Sequence, residues 1–205
     1  MVTQGLIVRL EAKAGKAKEI EEFLESALEL VRQEPATTAW FAVRFGRSEY
    51  GIVDFFPDAS ALQAHIDGPV ASSLFANAGT LFTEAPKVQK LQVLADKFPV
   101  IATNEYSTKA LLLSFKAKAG HEQAVEQFLR GAQALVEDEL YTTTWFALRF
   151  DNGEYGIFDT FGGPSGRFDH LTGRVPRELA KHALTLLGGV PDIDLIDVLA
   201  EKVLV

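Results

Sequence analysis

Apolar positions change period along this chain in a fixed order, and the whole order occurs twice. Residues 5–12 and 111–115 are short apolar runs that read as strands. Gly15 and Gly120 punctuate the turns that follow. Ile20, Phe23, Leu24, Ala27 and Val31 then recur at i, i+3, i+4, i+7 and i+11, a single apolar stripe on a helix. Val125, Phe128, Leu129, Ala132 and Val136 repeat that stripe. Glu19, Glu21, Glu22 and Glu25 fall on the opposite side and read as a solvated helix face, not an acidic site. Residues 37–45 and 50–56 are β-branched and aromatic, which predicts a hairpin. Gly46-Arg47-Ser48 forms its turn, and Asp151-Asn152-Gly153 forms that of the second copy, with a strong Asn-Gly signal. A helix follows, capped at Asp58-Ala59-Ser60 and broken by Gly68-Pro69. Its remainder carries Val70, Leu74, Ala78, Leu81 and Phe82, and the second copy breaks at Gly173 and Pro176. Residues 87–94 and 193–199 read as closing strands.

The two passages match at a constant offset of 105 residues, and without a gap residues 1–100 agree with 106–205 at about 40 positions. A period this long is a duplicated domain, since solenoid units repeat every ~20–50 residues. The expected domains are a first repeat at 1–97, a linker at 98–107 and a second repeat at 108–205. Phe98, Val100 and Ile101 make the linker too apolar to be free, so part of it is expected to pack as an extra strand. Each repeat reads as βαββαβ, an antiparallel four-stranded sheet with both helices on one face. Phe41, Val43 and Phe45 occupy one face of the hairpin, with Trp40, Ala42 and Arg44 on the other. A sheet apolar on both faces is buried on both. The fold class expected is therefore α+β: two ferredoxin-like repeats whose sheets pack together as a pseudo-dimeric α+β barrel. The pair forms an internal pseudo-dimer, with a further homodimer left open.

Composition narrows the chemistry. The chain has no cysteine, which removes disulfides, thiolate metal sites and a cysteine nucleophile, and fits a reducing, cytoplasmic setting. Residues 1–5 lack the pattern of a signal peptide, and no run approaches the ~20 apolar residues of a membrane span. The net charge of −8 repels phosphate backbones, and no Lys/Arg cluster offsets it, so neither nucleic acid nor a membrane is an expected partner. His65, His121, His170 and His182 lie too far apart for the usual zinc spacings, and no metal site is expected. Neither a phosphate-binding loop nor a Gly-x-Ser-x-Gly elbow is present. Phenylalanine is the outlier at 15 copies. Such rings fill cores first, and they also line cavities for flat ligands.

The stretch Asp54-x-Phe56-x-Asp58-Ala59-Ser60-Ala61-Leu62-x-Ala64-His65-Ile66-x-Gly68-Pro69 resembles the antibiotic biosynthesis monooxygenase-like domain of the dimeric α+β barrel superfamily. Copy two keeps Asp159, Phe161, Ser165 and His170 but loses the Ala-Leu-x-Ala run. The resemblance covers each copy nearly end to end and implies more about fold than about activity. It implies oxidation of anthrones, quinols or related polycyclic phenols by O₂ with no cofactor, the substrate supplying the electron as a stabilised carbanion. Its alternative is a non-catalytic small-ligand-binding or stress-response barrel. The haem-degrading branch uses a first-strand asparagine and a second-helix tryptophan and histidine. Neither first strand here has an asparagine. His65 stands at the tryptophan's place, with Phe75 (Ala180 in copy two) near the histidine's. Haem degradation is disfavoured.

Cofactor-free oxygenation needs an apolar cavity, a base, and donors for the anion formed. Both copies carry residues of those types: Asp54 and His65, with Asp159 and His170, as candidate catalytic groups; Trp40, Arg44 and Tyr50, with Trp145, Arg149 and Tyr155, as candidates for a small aromatic substrate. Trp40 and Arg44 share one strand face, as do Tyr50 and Asp54. A three-residue turn would pair 44 with 50 and 40 with 54 and bring all four together; a two-residue turn would put the pairs on opposite faces. Asp54, inside Gly-Ile-Val-Asp-Phe-Phe, is expected to pair with Arg44 as a structural salt bridge; unpaired, burial would make it a base. His65 is expected on the apolar side of a short helix as a hydrogen-bonded core residue, with catalysis the lesser reading. Trp40 serves equally as core plug or substrate platform. The copies agree at about 24 of 45 positions over 12–56 but at about 13 of 41 over 57–97. The hairpin is shared and the second helix has diverged, which leaves room for one active pocket.

Overall fold

The computed structural model describes residues 1–99 and 106–204. The first repeat forms β1 (Gln4–Glu11), α1 (Ala17–Arg32), β2 (Ala39–Arg44), β3 (Glu49–Phe56), α2 (Ala59–Ile66), α3 (Pro69–Leu81) and β4 (Lys87–Lys97). The second forms β5 (Lys109–Phe115), α4 (Glu122–Val136), β6 (Thr142–Phe150), β7 (Tyr155–Phe161), α5 (Pro164–Leu171), α6 (Arg174–Leu186) and β8 (Asp192–Val203). This is the predicted α+β order, ferredoxin-like in each repeat. Among the described residues no helix is long and apolar enough to cross a membrane.

The chain divides into two compact units that cut across the repeats at their last strands. One comprises Met1–Leu91 with Ile196–Leu204, the other Gln92–Leu195. In the first unit the antiparallel sheet runs β1-β3-β2-β8, with Ala39 opposite Val203 and Arg44 opposite Asp197. In the second it runs β5-β7-β6-β4.

Local chemistry explains the element boundaries. Ile20, Leu24, Ala27 and Val31 are buried along α1, as the stripe requires. The Asp58 carboxylate accepts the Ala61 N–H at 2.9 Å and starts α2. Extended Gly68, followed by Pro69 in the first turn, separates α2 from α3. In α6 the break comes at Gly173, and Pro176 lies in the first turn, where a missing N–H costs nothing. Gly51 is required by a close approach: a Cβ there would lie 2.2 Å from the Val8 carbonyl oxygen.

The strand faces alternate as expected. Trp40, Ala42, Tyr50 and Ile52 face the helices and share one core with Ile20, Leu24, Val31 and Leu74. Phe41, Val43, Val53 and Phe55 point the other way and are also fully buried. Of the predicted linker, residues 100–105 lie outside the described residues. Phe98 and Pro99 extend beyond β4, and the Phe98 ring meets Phe146 edge-on at 5.4 Å.

β4 and β8 run further than their apolar patterns suggest, because each carries a lysine with a structural task at or next to its last residue. Lys97 Nζ donates to the carbonyls of Val136 at 2.8 Å and Glu139 at 2.7 Å, at the end of α4. Lys202 makes the same contacts with Val31 and Glu34 at the end of α1. Both satisfy terminal helix carbonyls and place positive charge at the negative end of a helix. Lys97→Met should therefore lower unfolding free energy by about 1–3 kcal/mol, read as a reduced urea midpoint with an unchanged m-value.

Candidate functional site

The hairpin register pairs Arg44 with Tyr50 and Trp40 with Asp54, the alternative that puts all four side chains on one face. They do not form one cluster there. The two pairs lie four residues apart, about 13 Å along a strand, and different helices cover them.

At one end, Asp54 meets α2. His65 Nε2 lies 3.0 Å from Asp54 Oδ2, and its Nδ1 donates to Glu34 Oε2 at 2.6 Å. Thr37 Oγ1 donates to the same Glu34 oxygen at 2.7 Å. The second unit repeats this chain of groups: His170 lies 3.0 Å from Asp159 and 2.6 Å from Glu139. Asp54 and Asp159 are about 1% and 0% exposed, and beyond the imidazole contact only the Leu6 backbone, at Asp54, favours either carboxylate among the described residues. The imidazole is thus the ionic partner of a carboxylate that is otherwise poorly satisfied. Each carboxylate takes its own ring nitrogen, so the three groups form a line and do not converge on a point.

Burial is the largest influence on all three groups and favours their neutral forms. For His65 and His170 the two flanking carboxylates outweigh it and push the imidazole up to about 10. For Glu34 and Glu139, burial is outweighed by the imidazole and threonine bonds, and the carboxyl falls below its ordinary value. For Asp54 and Asp159 burial prevails over the imidazole, and the carboxyl is raised. Raised values on both sides of the Nε2–Oδ2 contact describe one proton retained between them at neutral pH, with the glutamate carrying the net negative charge.

At the other end, Arg44 contacts Glu21 at 3.1 Å and Asp197 at 2.7 Å, and the Tyr50 hydroxyl donates to Glu21 at 3.1 Å. Arg149 and Tyr155 share Glu126 in the same way, at 3.2 and 3.3 Å. The expected Arg44–Asp54 salt bridge is therefore not formed. Each charge pairs with opposite charges on the helix packed over it or the strand beside it, and four residues of strand keep these two apart. Glu21 also departs from expectation, turning from the solvated face of α1 toward the sheet. Trp40 and Trp145 are fully buried among the helix-side core residues, and their indole N–H groups have no partner among the described residues.

In the second unit the Asp159 end opens on a cavity of about 300 Å³ between sheet and helices. Leu111 and Ile157 line it from the sheet, Val175, Leu179 and Ala183 from α6, and among the described residues its only ionisable lining groups are Asp159 and His170. Trp145, Arg149 and Tyr155 do not line it. His170 also borders a second, more polar recess of about 350 Å³ that includes Glu139, Asp138 and Arg174.

Glu34 and Glu139 were not among the expected site residues, nor were Lys97 and Lys202. All four are identical between copies at the 105-residue offset, as are Thr37 and Thr142. Retention of a polar residue at corresponding positions in both repeats is the signal that could have found them.

No protein-family model and no curated protein sequence matches the chain. Solved structures match in fold. A "Putative monooxygenase" from Fusobacterium nucleatum superposes with a TM-score of 0.85 at 13% identity, covering 98% of this chain and 94% of its own. An anthrone oxidase-like protein gives 0.62 at 8% identity, covering 98% and 93%. A ferredoxin-fold protein from Listeria monocytogenes, related to antibiotic biosynthesis monooxygenases, gives 0.55 at 8% identity, covering 97% and 95%. The chain has the fold of these monooxygenase-like proteins, and at such identities the likeness is one of fold.

The imidazoles give a pH signature. A raised histidine pKa contributes stability that is complete below the unfolded value near 6.5 and is lost as pH rises through about 10. The ring signals of His65 and His170 in NMR should stay constant from pH 6 to 8 and shift only as pH approaches about 10. Titration of either ring near 6.5 would show that the carboxylates do not hold its proton.

Proposed function

We propose that this chain is a cofactor-independent monooxygenase oxidising a small aromatic, quinol or anthrone-type substrate with O₂. One observation carries this reading: Asp159, fully buried and poorly satisfied, lines an otherwise apolar cavity of about 300 Å³. A buried carboxyl with a raised pKa, next to an imidazole that can take its proton, is a base suited to a weakly acidic C–H or O–H.

With the shared proton on Nε2, the Asp159 carboxylate is ionised and can take a proton from the substrate, and the imidazolium balances the charge developing nearby. For an anthrone-type CH₂, the carbanion adds to O₂ to give a peroxide anion. Asp159 returns the proton to form a hydroperoxide, and loss of water leaves the carbonyl. One O₂ and one CH₂ thus become one C=O and one H₂O. Arg149 and Tyr155, held by Glu126, take no part in this scheme. The aliphatic walls keep water from the carbanion.

A second reading, a non-catalytic small-ligand-binding or stress-response protein, is favoured by the recurrence of the same triad in the first unit at the same distances. A group of residues that only pins a helix to a sheet would recur in this way.

Oxygen uptake in metal-free buffer with a panel of anthrones and quinols separates the two. Asp159→Asn should lower uptake at least about 100-fold, the lower end of the range for a general base, while the fold melts cooperatively. Uptake no greater than that of the Asp54→Asn/Asp159→Asn double variant for every substrate would remove the enzyme reading.

A further inference from the structure

We infer that only the second unit holds a ligand, and that the residues at two positions, Phe75/Ala180 and Phe82/Leu187, decide it. The inference rests on reading the cavity as a ligand site and does not depend on turnover. The ligand class is a flat, mostly apolar molecule with one hydroxyl, because the cavity offers aliphatic walls and one acid–imidazole pair.

The walls of the cavity are largely the same in both units. Leu111, Ile157, Val175, Leu179 and Ala183 line it, and at the 105-residue offset they recur unchanged as Leu6, Ile52, Val70, Leu74 and Ala78. The acid and imidazole recur too. Two lining positions gain an aromatic ring in the first unit. Ala180 is replaced by Phe75 and Leu187 by Phe82.

The backbones that carry these residues are equivalent. Phe82 N–H donates to the Ala78 carbonyl at 3.0 Å, and Leu187 N–H to that of Ala183 at 2.9 Å. Phe82 bridges to Ala12 as Leu187 bridges to Ala117. The two side chains leave the chain at corresponding points, so the larger ring enters the space that Leu187 only borders. Phe82 is 2% exposed within the core of its unit, whereas Leu187 is partly exposed at the edge of its own. Phe75 projects from α3 at 55% exposure, where the exposed Ala180 leaves the mouth open. The first unit therefore keeps the acid and the imidazole but fills the place of the ligand.

Calorimetric titration of the full chain with 1-naphthol tests this. One molecule should bind per chain. Ala180→Phe/Leu187→Phe should weaken binding at least about tenfold, a difference of ~1.4 kcal/mol, with Asp159 and His170 untouched. Phe75→Ala/Phe82→Leu should raise the stoichiometry from one to two. Ala180→Phe alone alters only an exposed helix position, so it should fold and still weaken binding. Two sites in the unsubstituted chain, no binding at all, or unchanged affinity in Ala180→Phe/Leu187→Phe would overturn the inference. Binding of one molecule, with no oxygen uptake for any anthrone or quinol of the panel, would overturn the monooxygenase reading alone. Two sites with oxygen uptake would overturn the one-site inference alone.

Discussion

A carboxylate buried on the helix-facing side of a strand must be matched by a partner, and much of each unit is arranged around that requirement. An isolated buried charge costs several kcal/mol, and removing one member of a buried pair costs about 3–5 kcal/mol. Asp54 on β3 is met by His65 on α2, and His65 by Glu34, which follows α1. One line of contacts therefore ties three elements together. The helix break belongs to the same arrangement. A Cβ at Gly68 would lie 3.1 Å from the Ala64 and His65 carbonyl oxygens and 3.2 Å from Glu34 Oε1, and one at Gly173 would lie 2.9 Å from the His170 carbonyl oxygen and 3.1 Å from Glu139 Oε1. Glycine ends α2 and also gives the glutamate room beside the helix end.

Much of this fold can be read from local chemistry. The apolar stripe of α1, the Asp58 cap and the Gly68-Pro69 break all appear where periodicity and capping place them. Asp54 and His65 also stood out, as titratable groups in apolar surroundings. What could not be read was pairing across elements. Arg44 and Asp54 looked complementary because charge matching in a sequence carries no distance. In the fold, Arg44 meets Glu21 and Asp197, and Asp54 meets His65. Glu34 was hidden because it follows a helix rich in solvated glutamates. Lys97 and Lys202 were hidden because a lysine at a strand end looks solvated until a helix terminus is placed beside it.

The two repeats have kept and changed different parts. Agreement is dense over 12–56 and sparse over 57–97. The dense part contains the first helix, the hairpin, the aspartate and the glutamate. The sparse part contains α3 and α6, which carry Ala180 in one copy and Phe75 in the other. His65 and His170 are nonetheless kept inside the sparse part. Substitution there has altered the walls of a pocket while sparing the group that neutralises the buried acid.

That pattern bears on how a repeated site should be interpreted. A triad that satisfies a buried charge is retained wherever the charge is retained, since loss of the imidazole would leave Asp54 without its ionic partner. Its presence in the first unit is therefore explained by stability alone and is no sign of activity there. In the second unit the same acid borders open apolar space. Its burial keeps the carboxyl raised, its neighbour can accept its proton, and a polar recess lies on the far side of that neighbour. One arrangement thus serves as a strut in both units, and only the residues around it determine whether it can also act as a base.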